Sequence, residues 1–151
     1  MKVFRQAIEQ DLPALIQMLS NDQLGDQRED YSLPLHKNYI RAFQQINNDP
    51  NNELIVVEND NQIVGMLQLT FIPYLTHLGS WRCLIEGVRV HKDFRGRGLG
   101  TRLLVWAIQT AKDKGCPMVQ LTSNKQRTKA IHFYQQLGFV ASHEGFKLNL
   151  Q

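Results

Sequence analysis

Arg95-Gly96-Arg97-Gly98-Leu99-Gly100-Thr101 concentrates more chemistry than any other stretch of the chain. Glycines at 96, 98 and 100 let the backbone turn sharply and bring N–H groups close to a ligand with no Cβ in the way. The segment runs into a helical pattern, and a helix start offers unpaired N–H groups and a partial charge of about +0.5. Such a place receives phosphate, and Arg95 and Arg97 add fixed charge and forked donors. A tight strand-to-helix turn with a capped helix would use the same glycines; the two arginines inside the turn favour phosphate. Spacing excludes two common phosphate loops. Thr101, not lysine, follows Gly100, so there is no Walker lysine. A dinucleotide fingerprint counted from Gly96 and Gly98 would need a third glycine where Thr101 stands.

The elements that must carry this turn are legible on either side of it. Arg82–His91 is strand-like, with Leu84, Glu86, Val88 and Val90 on one parity and Gly87 marking a bulge or a close backbone approach. Leu103, Leu104, Ala107, Ile108 and Ala111 form one face of a helix over Thr101–Lys114, stopped by Gly115 and Pro117. Upstream, Lys2–Ala7 reads as a strand, and Ile8, Leu12, Leu15, Ile16 and Leu19 recur at helical spacing. Asn21–Pro34 is loop chemistry, and Tyr39, Ile40, Phe43 and Ile46 suggest a second helix. Glu53–Glu58 and Gln62–Ile72 form a hairpin about Asn59-Asp60-Asn61. Downstream come a strand over Met118–Thr122, a helix over Arg127–Leu137 capped by Gly138, and a closing strand pair, Phe139–Ala141 with Phe146–Leu150. This order predicts one α/β domain over residues 1–151, with a mixed, mostly antiparallel central sheet flanked by helices.

Composition narrows the class. The 151 residues are 42% hydrophobic and 21% charged, which suits one folded domain and excludes a disordered chain. No run approaches the roughly 18 apolar residues of a membrane span, and the N-terminus carries no leader pattern, so a cytoplasmic protein off the membrane is expected. Cys83 and Cys116 lie outside any Cys-x-x-Cys frame, which argues against a zinc ribbon, a redox motif or a disulfide scaffold; no metal is expected. The net charge is +3, but the stretch from Arg82 to Lys129 carries +8 and the rest −5. That asymmetry suits an anionic ligand beside a cationic one. The basic residues surround a glycine turn rather than an aromatic-studded strand face, and no nucleic-acid motif is present.

Arg95-x-x-Gly98-x-Gly100 resembles the Arg/Gln-x-x-Gly-x-Gly/Ala signature of the GNAT superfamily of N-acetyltransferases. Leu84–His91 looks like that family's fourth strand, and Ala130–Phe139 like its last helix and the strand that follows. The resemblance covers nearly the whole chain. It implies acetyl-CoA as co-substrate and transfer of acetyl to an amine within a ternary complex. It implies that backbone N–H groups of Arg95, Gly96, Arg97, Gly98, Leu99, Gly100 and Thr101 hold the pyrophosphate. It also implies that backbone groups of Val88 and Val90 pair with the pantetheine arm. Many members carry Asn three residues before the alanine matched by Ala130; here that position is Arg127, and either Asn124 or Arg127 would take the contact. A homodimer is the assembly the family most readily offers.

The chemistry then asks for a proton acceptor and a proton donor. Glu86, on the strand beside the expected thioester and next to Gly87, is the candidate base, directly or through water; it could instead grip the substrate ammonium or pair with an arginine. Tyr134 matches the family tyrosine that acts as the acid; its spacing with Ile131 and Leu137 also suits a core aromatic. Asp22, Asp26, Glu29 and Asp30 lie where the resembling family's substrate-side elements sit and suggest a cationic acceptor, or form a solvated loop; Tyr31, Tyr74 and Trp81 could line an acceptor cleft or merely pack. The competing readings are a module that binds acyl-CoA without turnover and a basic nucleic-acid binder.

Overall fold

The computed structural model describes residues 1–22 and 24–151. Met1–Gln120 and Leu121–Gln151 form two compact units. The first opens with β1 (Lys2–Gln6), a 3-10 turn at Glu9–Asp11, α1 (Leu12–Ser20), α2 (Gly25–Arg28) and α3 (Lys37–Asn48). The hairpin β2 (Asn52–Asn59) and β3 (Gln62–Pro73) follows. A short turn, α4 (Thr76–Gly79), with His77 and Leu78 left-handed, leads into β4 (Trp81–Val90). After a 3-10 turn at Lys92–Phe94 come α5 (Leu99–Asp113) and β5 (Met118–Leu121). The five strands form one mixed sheet in the order β1-β2-β3-β4-β5, with antiparallel pairing from β1 through β4.

Strand alternation sorts the side chains onto two faces. Ile55, Val57, Leu67, Leu69, Phe71, Cys83 and Ile85 are buried on the face that packs against α5. The helix supplies Leu99, Leu103, Leu104, Ala107 and Ala111, each at most 2% exposed. Gly65 lets it come close: a Cβ there would lie 3.1 Å from the Leu103 side chain. On the other face, Val56 and Met66 join Leu12, Leu15 and Met18 of α1 and Phe43 of α3 in a second core. Asp11 locks the start of α1, accepting from Ile8 N–H at 2.8 Å and from both terminal nitrogens of Arg5 at 2.8 and 3.0 Å. Cys83 and Cys116 are both reduced and buried, and burial pushes the Cys83 thiol up to about 12.

The second unit holds α6 (Thr128–Gln136), with Gly138 beyond it at a φ of 98°. The expected strands at Phe139–Ala141 and Phe146–Leu150 do not form; residues 139–151 are irregular. Their alternation is β-like, but a strand needs a ladder partner. Here Phe146, Leu148 and Leu150 stand 93%, 85% and 89% exposed. Within the expected loop Asn21–Pro34, of which Gln23 lies outside the described residues, the short helix α2 forms over Gly25–Arg28; the other expected elements stand within a few residues of their bounds, with α5 beginning at Leu99, two residues earlier than the sequence pattern suggests. No helix among the described residues is long and apolar enough to cross a membrane.

Candidate active site

β4 changes character halfway along. From Trp81 to Glu86 it pairs regularly with β3; then Gln68 faces Glu86 while Met66 faces Arg89, so β4 carries one residue more than its partner. That bulge falls at Gly87, whose φ of 63° suits glycine and few other residues. The ladder resumes at Arg89 and Val90. Arg82 reaches Gln120 Oε1 at 3.1 Å, which sets the four-residue β5 beside the first half of β4. The last half, Glu86 to Val90, pairs with β3 through the bulge. Val88 and Val90 lie on this half, and their carbonyls accept from the guanidinium groups of Arg89 at 2.8 Å and Arg95 at 3.1 Å.

The glycine turn is tied to this strand. Arg95 donates from Nε to the Val90 carbonyl at 3.1 Å and from a terminal nitrogen to the Asn21 carbonyl at 3.4 Å. Its guanidinium is thus turned back toward β4 and the end of α1, whereas Arg97 is exposed above the Phe94 ring at 5.3 Å. Gly96 and Gly98 have φ of 76° and 79°, and among the described residues a Cβ on either would meet no atom within 4 Å. Gly98 caps α5, and its carbonyl accepts from Arg102 N–H at 3.1 Å. The N–H groups of Leu99, Gly100 and Thr101, ahead of that bond, point out of the helix end. The Leu99 side chain is 2% exposed and anchors the turn in the core. The arrangement can hold a phosphate with main-chain donors and has open space where it would sit.

Glu86 is exposed and makes no ion pair among the described residues, so its pairing with an arginine does not occur. It lies beside Gln68 and Leu54 in one cross-strand row; Leu84, Thr70 and Asn52 form the next. Asn52 Oδ1 accepts from Thr70 Oγ1 at 2.6 Å and from Gln68 Nε2 at 3.4 Å. The face that is apolar under α1 at Val56 and Met66 thus becomes polar at Asn52, Gln68, Thr70 and Glu86. The sequence reading missed Asn52, Gln68 and Thr70. The available signal was the change at one parity of β3, from Val64 and Met66 to Gln68 and Thr70.

The acidic stretch is largely committed to local partners. Asp22 Oδ2 lies 3.5 Å from Arg89, Glu29 pairs with Arg28 at 2.6 Å and accepts from Tyr39, and Asp30 accepts from Ser32. Asp26 and Tyr31 line a separate cavity of about 370 Å³ with Gln17, Met18, Gln62 and His91. His91 caps the 3-10 turn by accepting from Asp93 N–H at 3.1 Å. Among the described residues no group of three metal-ligating side chains assembles.

Asn124, Arg127 and Tyr134 belong to the second unit. Asn124 Oδ1 accepts from Gln126 N–H and its carbonyl accepts from Arg127 N–H, so it shapes the turn before α6. Arg127 is the residue preceding that helix and is half-buried. The Tyr134 ring packs edge-on against Phe133 at 5.3 Å and Phe139 at 6.0 Å.

The acetyltransferase (GNAT) family model matches residues 16–139. Over 98 residues the chain is 32% identical to an aminoalkylphosphonate N-acetyltransferase of Salmonella typhimurium, covering 65% of this chain and 63% of that one. It is 36% identical over 89 residues to a glucosamine 6-phosphate N-acetyltransferase of Trypanosoma brucei brucei, covering 59% and 58%. The chain thus spans about six-tenths of the length of these relatives. A crystal structure described as a transcriptional regulator from Bacillus halodurans C-125 superposes with a TM-score of 0.96 at 54% identity, covering 99% of this chain and all of that one. With a bulged strand leading into a glycine turn and helix, and a family match over most of its length, the chain belongs to the acetyltransferase (GNAT) family.

Proposed function

We propose that the protein is an acetyl-CoA-dependent N-acetyltransferase that moves acetyl to a primary amine of a small molecule or a protein, by direct attack in a ternary complex. One observation carries this reading: the exposed carboxylate of Glu86 immediately precedes the Gly87 bulge, on a strand whose end is tied to the glycine turn. In this reading the main-chain N–H groups from Arg95 to Thr101 hold the pyrophosphate, Val88 and Val90 pair with the pantetheine arm, and Asn124 or Arg127 adds a contact.

The chemical need is a proton balance. An alkyl amine with a pKa near 10.4 is about one part in 2,500 neutral at pH 7, which costs about 4.6 kcal/mol. Glu86 takes the ammonium proton, directly or through water, and the amine nitrogen attacks the thioester carbonyl. A main-chain N–H of β4 at the bulge steadies the developing oxyanion. The C–S bond breaks, the phenol of Tyr134 gives its proton to the departing thiolate, and the second amine proton, lost as the amide forms, restores the phenol. No metal is required for these steps. A single domain, a cytoplasmic setting and a homodimer belong to the same proposal.

The test is a panel of amines with acetyl-CoA, read by release of the CoA thiol. Amine-dependent release supports transfer. Tight CoA binding with no release for any amine would instead make the chain a binding module, and salt-sensitive DNA binding without release would favour a nucleic-acid role.

A further inference from the structure

We infer that Gln68 is a second ligand for the acceptor's ammonium, its carboxamide oxygen working beside the Glu86 carboxylate, and that Asn52 is the positioning residue that turns this oxygen toward the amine. The inference rests on the acetyltransferase reading above and adds two residues to its acceptor site.

α3 ends in a tight turn, Asp49-Pro50-Asn51-Asn52, that delivers the chain into β2. Asn52 is held there twice over: its main-chain N–H donates to the Asp49 carbonyl at 3.0 Å, and its Nδ2 donates to Asp49 Oδ2 at 2.9 Å. The other carboxylate oxygen of Asp49 accepts from Asn51 N–H at 2.8 Å. An ionised carboxylate only accepts, so the NH2 end of the Asn52 amide faces Asp49 and its oxygen faces the other way. There Oδ1 accepts from Thr70 Oγ1 at 2.6 Å and from Gln68 Nε2 at 3.4 Å.

Gln68 inherits that polarity. An oxygen at Asn52 requires a donor, so the Gln68 amide presents Nε2 to β2, and Oε1, across the same carbon, is turned away from β2. β4 lies on that side of β3, with Glu86 opposite Gln68 in the register. Such cross-strand neighbours stand roughly 5 Å apart at Cβ. Among the described residues no donor reaches Gln68 Oε1, and it is open to solvent. A directional relay thus runs from the Asp49 carboxylate through two amides to an oxygen beside the exposed Glu86. An alkylammonium has three N–H donors. Glu86 accepts the one whose proton is lost, and Gln68 Oε1 accepts a second. A carboxamide takes no proton in the working range, so it holds the nitrogen before and after deprotonation. A second carboxylate in its place would raise the pKa of the base through like-charge repulsion.

The experiment takes propylamine, putrescine, glucosamine and Nα-acetyl-lysine amide, selects the one with the fastest thiol release from acetyl-CoA, and compares the parent with Gln68→Leu, Asn52→Ala, their double variant and Gln68→Glu. The expected result in Gln68→Leu is an amine KM raised by about 10-fold or more, from loss of a hydrogen bond to a charged group, with kcat within about 3-fold. Acetyl-CoA affinity and the acidic limb of the pH–rate profile should not move. Asn52→Ala should raise the amine KM by less, and should add nothing in the double variant, where no carboxamide is left to orient. Gln68→Glu places a carboxylate beside Glu86 and should shift the acidic limb to higher pH. Thermal melts separate lost folding from lost binding; if Gln68→Leu does not fold, the Asn52→Ala KM and the Gln68→Glu limb decide. A parental amine KM in folded Gln68→Leu, additive effects of the two single variants, or an unmoved limb in Gln68→Glu overturns this inference and leaves the acetyltransferase reading standing. Absence of thiol release with every amine removes both.

Discussion

Arg95 and Val90 are joined by a 3.1 Å hydrogen bond from guanidinium Nε to main-chain carbonyl, which fastens the glycine turn to the end of the strand that precedes it. The two arginines of the turn therefore have separable tasks. Arg97→Ala removes an exposed charge and should weaken CoA binding by a few-fold, with a salt-dependent difference from the parent and an unchanged melting temperature. Arg95→Ala also frees the turn from Val90 and Asn21, so it should lower affinity and melting temperature together. Calorimetry and thermal melts on the two single variants check this; unchanged CoA affinity in the double variant would remove the phosphate site from the turn.

Glu86→Gln keeps the shape of the side chain and removes its capacity to take a proton. Turnover should fall by about 100-fold or more, within the range of general-base effects, and the acidic limb of the pH–rate profile should change. If only the acceptor KM rises and the limb is preserved, Glu86 anchors the ammonium and another group accepts the proton.

Tyr134→Phe retains the ring that packs against Phe133 and Phe139. The expected outcome is a folded protein with unchanged acetyl-CoA affinity and a kcat lower by about 10- to 1,000-fold. A thioester with a more acidic thiol should recover part of the loss, because the departing sulfur then needs its proton less. Parental turnover across the pH range, with chemistry rate-limiting, would leave Tyr134 as a packing residue.

Asp11 governs acid stability. Burial alone would raise its carboxyl, but the Arg5 guanidinium and the Ile8 N–H outweigh burial and hold it below the usual carboxylate range. A depressed native value means the stabilisation is present above the unfolded pKa of about 3.9 and is lost as pH falls through the native one. Asp11→Ala should cost about 2 to 3 kcal/mol at pH 7, since it leaves Arg5 and the Ile8 N–H short of an acceptor. Denaturant melts from pH 7 to pH 2 should show the gap between variant and parent narrowing only in the acid range.

The parts of the site legible in the sequence are those that depend on local backbone chemistry. Gly87, Gly96 and Gly98 all adopt positive φ, and each marks in sequence the bulge or turn it makes in space. The polar floor was hidden because Asn52, Thr70 and Gln68 become neighbours of Glu86 only through cross-strand register. Arg95 reads as a phosphate ligand from its neighbours in sequence, yet its guanidinium bonds to Asn21, 74 residues away. Phe146 to Leu150 has the alternation of a strand, but alternation cannot supply the second strand that would pair with it.

The burial of Cys83 and Cys116 has a consequence for the proposed acetyl transfer. Thioester exchange needs a thiolate, and a thiol at about 12 is ionised on the order of one part in 100,000 at neutral pH. Cys116 is likewise pushed up by burial and is 7% exposed. In the proposed transfer, two buried thiols held in the protonated form are poor rivals to the amine as acyl acceptors.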